Sequence, residues 1–135
     1  MRFREALAVG LIFSMASSTA GQDSAAADAL FRQAAERESR KPEAREYAEI
    51  AGLYGQAARQ GHTPSMVRLG YLLQSGTGVP QDLSGAFALF GEAAKAGNLD
   101  GQFMLAMTYL QGLGTTKNPT AARTWALQPA DAGHQ

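Results

Sequence analysis

Cysteine is absent from the 135 residues. That excludes disulfides, thiolate zinc sites, cysteine nucleophiles and a lipidated N-terminal cysteine. Valine and isoleucine are scarce while alanine and glycine abound, a bias toward close-packed helices over sheets. Neither charge sign is in excess: Lys plus Arg and Asp plus Glu number 12 each. No basic surplus therefore argues for nucleic acid or an anionic membrane. The longest apolar run, Ala6 to Met15, has about ten residues against the roughly 20 needed to cross a bilayer, which excludes a stable transmembrane anchor there. Only two histidines occur, His62 and His134. A metal site would need further ligands close by, and none is apparent. No serine sits in a nucleophile motif and no glycine run has phosphate-loop spacing, so neither an enzyme nor a cofactor is expected.

What is present begins with a leader. Arg2 and Arg4 precede the short apolar run, and Ser18 and Ala20 satisfy a small-x-small exit, so residues 1–20 read as a signal peptide cleaved after Ala20. Export to the periplasm or beyond follows as an expectation, with 21–135 as one helical-repeat domain. Removing the leader takes Arg2, Arg4 and Glu5 and leaves a net charge of −1.

Sliding the chain against itself exposes a 36-residue period. Gly61, Gly97 and Gly133 close the similar stretches AARQGH, AAKAGN and PADAGH. The same offset pairs Leu69 with Leu105, Gly70 with Ala106, Gly76 with Gly112, Gly78 with Gly114, Ala86 with Ala122, and Leu89 with Trp125. Leu53 and Tyr54 fall one period before Leu89 and Phe90. Each full unit, 63–97 and 99–133, reads as two helices. Thr63 is the expected N-cap of the first, with Pro64 behind it. Gly76-Thr77-Gly78 ends that helix, Asp82 caps the second, and Gly97 stops it. The next unit runs from about Asp100 to Gln111, turns at Gly112-Leu113-Gly114, and restarts at Asn118-Pro119. A divergent pair precedes them over about 24–60, broken at Arg40-Lys41-Pro42. The fold class is all-α, an α-solenoid of antiparallel helix pairs whose small residues let helices approach and whose larger ones, Leu69, Leu89 and Phe90, fill the layers. Pro129 should stop or kink the last helix near Gln128.

The string from Leu69 to Asn98 resembles a Sel-1-like repeat, a helix–turn–helix unit related to tetratricopeptide repeats. The resemblance rests on Leu69-Gly70, Gly76-Thr77-Gly78-Val79, Asp82, and Ala93-Ala94 with Gly97. It covers about Tyr47 to His134 well and Ser24 to Arg45 weakly. Such repeats generally act as adaptors for proteins or peptides. Their exported bacterial members include regulators of sensor kinases, envelope-assembly factors and secreted host-interaction proteins. A cysteine-rich branch is linked to β-lactams, and this chain lacks its cysteine pairs.

The resulting expectation is an exported protein-interaction module, an adaptor or regulator in the bacterial envelope, that binds a protein or peptide. A cell-wall or β-lactam-processing hydrolase and a fragment completing a larger array are the alternatives. Arrays of this type bind on the concave side, lined by the first helix of each pair. Arg68, Tyr71, Gln74, Gln102, Met104 and Thr108 are the candidates there. The C-terminal flank is a second candidate surface, for a partner or another copy of the chain. His62 reads as a turn residue bonding nearby backbone, and Trp125 as core. The charges between Arg32 and Glu49 read as a solvated face, with Glu36–Arg40 and Arg45–Glu49 as i,i+4 pairs.

Overall fold

A computed structural model of the chain describes residues 24–128. The leader with its cleavage point after Ala20, the proline at 129, Gly133 and His134 lie outside the described residues. Within them run α1 (24–39), α2 (Ala44–Arg59), α3 (Thr63–Ser75), α4 (Leu83–Lys95), α5 (Leu99–Gln111) and α6 (Pro119–Ala126). The described residues contain no strand. None of these helices is long and apolar enough to cross a membrane. From α2 onward each helix packs on the next in chain order, the signature of a solenoid.

The helix starts follow from short polar side chains that reach forward three residues. Asp82 accepts from the Gly85 amide at 2.9 Å, Asn98 from Gly101 at 2.8 Å, and Asn118 from Ala121 at 3.0 Å. Each satisfies an amide that the first helical turn leaves without a partner. Two boundaries differ from expectation. His62, not Thr63, caps α3, because its Nδ1 accepts from the Ser65 amide at 3.3 Å. Asn98 occupies the same repeat position and starts α5 at Leu99 rather than Asp100. At α2, Glu46 reaches back to the Glu43 amide at 2.8 Å.

The helix ends repeat just as closely. Gly76 and Gly112 close α3 and α5 in the left-handed conformation, φ 72° and 73°, with their amides 2.8 Å from the carbonyls of Leu72 and Thr108. Asp82 and Asn118 then return amides to the carbonyls of Leu73 and Tyr109, both at 2.8 Å. α6 stops at Ala126, ahead of the proline, as expected. In the divergent first pair Lys41 takes φ 56° without a glycine.

The turn glycines do more than end helices. A Cβ on Gly78 would strike the Tyr47 backbone, and one on Gly114 would strike the Leu83 carbonyl. Tyr47 and Leu83 are themselves 36 residues apart. Each turn is thus wedged against the start of the preceding pair's second helix, which sets the stacking of one pair on the next. The same economy of volume lets Phe90 lie on Gly70 and Ala93 lie against Gly101.

Two apolar clusters result. Ala34, Ile50, Ala51, Tyr54 and Leu72 join α1, α2 and α3, with Phe31 and Leu69 packed around them. Met66, Val67, Ala86, Phe90, Ala93 and Leu105 join α3, α4 and α5, with Leu89 and Trp125 against them. Trp125 therefore belongs to the core, as its repeat position implied. Fully buried side chains such as Phe90 and Ile50 each contribute roughly 1.5–3 kcal/mol relative to exposure.

Candidate functional site

A groove of about 580 Å³ opens along the first helices of the array. Phe31 and Glu38 come from α1, and Tyr47 from α2. α3 contributes Pro64, Val67, Arg68, Tyr71 and Leu72. Thr77 from the following turn and Asp100 from α5 complete the wall. The 36-residue stacking brings α1, α3 and α5 to one side, and this groove runs over their surface.

Two of the six predicted binding residues, Arg68 and Tyr71, line it. Arg68 places its guanidinium 3.3 Å from Glu38. With side chains 49% and 23% exposed, the pair is a positional device worth at most about 1 kcal/mol. Tyr71 is 40% exposed and meets Phe90 edge-on at 5.8 Å. Gln74 is half-buried and lies outside the groove, its carbonyl accepting from Gln81 Nε2 at 2.9 Å.

Gln102, Met104 and Thr108 are a correction. They are 6%, 9% and 1% exposed and face the core. Their polar atoms are satisfied within the protein: Thr108 Oγ1 donates to the Leu105 carbonyl at 2.7 Å, and Gln102 Nε2 donates to Ala94 at 3.5 Å. A polar side chain satisfied by nearby backbone can be buried at little cost. The repeat register carried a warning, since Gln102 and Thr108 fall one period after Met66 and Leu72.

None of the binding residues expected from the sequence lies on α1, the first helix of the divergent pair. Phe31 and Glu38 nonetheless form one wall. Below them lies Tyr54, fully buried, with a hydroxyl that has no hydrogen-bond partner among the described residues. Burial pushes the Tyr54 phenol up to about 12, with the Glu38 carboxylate adding to the rise and Arg68 opposing it. The phenol stays neutral at any physiological pH.

The other singled-out groups have structural occupations. His62 bonds Ser65 Oγ at 2.7 Å and, through Nε2, Asp28 at 2.8 Å, while its ring stacks near Phe31 at 5.0 Å. It ties α1 to the start of α3, in keeping with its reading as a turn residue. The Glu36–Arg40 pair forms as spaced. The Arg45–Glu49 pair does not: Glu49 instead reaches Arg37 across the α1–α2 boundary at 2.9 Å, and Arg45 lies 3.5 Å from Glu43. The groove offers aromatic and aliphatic surface, one ion pair and the Asp100 carboxylate. Such a lining suits recognition of an extended segment.

Comparison with known proteins agrees with this architecture. A stretch of 74 residues is 38% identical to chitin synthase regulatory factor 3 of Schizosaccharomyces pombe, covering 54% of this chain and 8% of that protein. The crystal structure of a protective antigen present in uropathogenic Escherichia coli strains, displaying an SLR fold, superposes with a TM-score of 0.70. That match has 27% identity and covers 73% of this chain and 21% of the antigen. A Sel1 repeat protein from Oxalobacter formigenes superposes with a TM-score of 0.57 at 26% identity, over 58% of this chain and 60% of that one. The chain thus spans only a small part of the yeast protein and of the antigen. The Sel1 repeat itself matches residues 51–62, 63–98 and 99–134, with unit starts that coincide with α3 and α5. On that match, over more than half its length, the chain belongs to the Sel1 repeat family.

Proposed function

We propose that this chain is an exported, non-catalytic interaction module that holds a segment of a partner protein in the groove over α1 and α3. In that role it acts as an adaptor or regulator in the bacterial envelope. The observation that carries the reading is the groove itself, in which Phe31, Tyr47 and Tyr71 surround the Glu38–Arg68 pair. Aromatic rings supply large contact area at low entropic cost, and a rim ion pair supplies orientation more than affinity. Family membership supports an interaction fold. The yeast relative is named as a regulatory factor, which is in line with a regulatory role here. The basic, apolar and small-residue order of the first 20 residues supports export.

The test is capture from envelope fractions with wild-type chain and with Tyr71→Ala and Arg68→Glu. Both substitutions are at exposed positions and should leave helicity intact. A specific partner retained by wild type and lost with the two variants is the expected result. Capture that ignores both would end the groove assignment. Mass spectrometry of the purified chain should find an N-terminus at Gly21, and an intact leader on cytosolic protein would end the export reading.

A further inference from the structure

The repeat register exposes a vacancy at the other end of the molecule. The 36-residue register aligns Ala34, Gly70 and Ala106 on the first helices, and one position on the second helices holds Tyr54, Phe90 and Ala126 in turn. In the first two pairs that position is an aromatic ring, and both rings are fully buried. The Phe90 ring lies directly on Gly70. In the third pair alanine stands in its place. The space left is a groove of about 350 Å³ between α5 and α6, walled by Ala106, Met107, Leu110, Ala122 and Ala126. Phe103 sits on its rim and is 61% exposed, whereas its repeat mate Val67 is 4% exposed. An aromatic ring is thus missing from one place and displayed beside it.

We propose that the α5–α6 groove receives the Phe103 ring of a second copy of this chain, forming a two-fold dimer through this flank. Vacancy and ring lie on the same face, so one two-fold axis satisfies both at once, as an interface between identical patches requires. Head-to-tail stacking is not matched, because the outer surface of α1 presents Arg32, Gln33, Glu36 and Arg37 to solvent. Leu110, 46% exposed, adds to the apolar surface of the groove. This flank is separate from the α1–α3 groove, so its assignment stands or falls independently of the partner-binding one.

Sedimentation velocity over a concentration series tests the proposal on the full chain, with Phe103→Ser and Ala126→Phe beside wild type. Wild type should show a monomer–dimer equilibrium. Phe103→Ser removes the inserted ring and should weaken dimerisation by at least about tenfold. Ala126→Phe restores the intramolecular ring and should also yield monomer, now with a raised melting temperature. That rise separates a filled groove from a damaged fold. Wild type that is monomeric throughout, or a dimer that survives either substitution, would overturn the proposal.

Discussion

Gly70 is where the packing logic of the array can be tested most sharply, by adding a single methyl group. A Cβ built there would lie 2.5 Å from Phe90 Cε1, 2.9 Å from Cζ and 3.0 Å from Cδ1. Carbon atoms in contact prefer about 3.5–4.0 Å, so the ring must retreat by roughly 1 Å. It has nowhere open to go. Phe90 is fully buried, and Tyr71 stands edge-on to it at 5.8 Å. Overpacking of this kind costs about 1–3 kcal/mol. Against it stands the gain from replacing a helix-interior glycine, about 0.5–1 kcal/mol. Gly70→Ala should therefore destabilise by about 1 kcal/mol net, a fall in melting temperature of roughly 4 °C for a domain of this size. Gly91 in α4 is the internal control. It is also mid-helix, but a Cβ there meets nothing within 4 Å. Gly91→Ala should show only the propensity gain and stabilise by about 0.5–1 kcal/mol. Thermal and urea unfolding followed by circular dichroism reads both. Opposite signs are expected, and adding Phe90→Leu to Gly70→Ala should relieve part of its own additional cost. If Gly70→Ala stabilises as much as Gly91→Ala, close contact between α3 and α4 at this residue is wrong.

Two further outcomes follow from the turn and from the buried phenol. Gly114→Ala combines a left-handed φ of 76° with a Cβ that would strike the Leu83 carbonyl, so it should cost about 2–4 kcal/mol, more than the same change at any exposed helical site. An unfolding midpoint within error of wild type would show that the turn does not bear on α4. The Tyr54 phenol has its pKa raised from 10.0 to about 12, so the folded state holds that proton more tightly than the unfolded one. Its stability contribution is complete below pH 10 and is lost as pH rises toward 12, on the order of 1 kcal/mol per pH unit. Tyr54→Phe should flatten this alkaline limb relative to wild type. It also removes a buried hydroxyl with no partner among the described residues, so stability at neutral pH should hold or rise by about 1 kcal/mol. Identical alkaline slopes for the two proteins would contradict the placement of that hydroxyl.

The parts of the fold that were legible in the sequence are those decided within a few residues. Asp82 and Asn118 cap the helices they precede because a side-chain oxygen needs to reach only three residues forward. Gly76 and Gly112 end helices because the left-handed backbone is a local choice. The 36-residue period then carries these local decisions to the next unit. Side-chain direction between layers is a different matter. Whether Met104 faces solvent or core depends on how α5 lies against α4 and α6, and one period earlier the same position holds Arg68, half-exposed in the groove. Local periodicity on a single helix cannot separate these cases. For Gln102 and Thr108 the apolar repeat mates Met66 and Leu72 outweigh the polar character of the side chain itself.

That contrast gives the repeat a functional grammar. Where mates agree, as at Gly76/Gly112, Gly78/Gly114 and Ala86/Ala122, the residue serves stacking and any substitution is paid for in every layer it touches. Where mates outside the core diverge, stacking has released the position for another use. Glu38, Gln74 and Leu110 share one register and pass from charged to polar to apolar along the array. Glu38 pairs with Arg68 in the groove over α1 and α3, and Leu110 lines the groove between α5 and α6. Tyr54, Phe90 and Ala126 diverge too, with two rings buried in the core and an alanine at the third site, which lines the α5–α6 groove. A charged, aromatic groove at the N-terminal end and an apolar one at the C-terminal end thus arise from a single repeat by changing a few of its residues. Exchanging Glu38 for leucine and Leu110 for glutamate should on this argument preserve the helical array while impairing recognition at the first groove and dimerisation at the second.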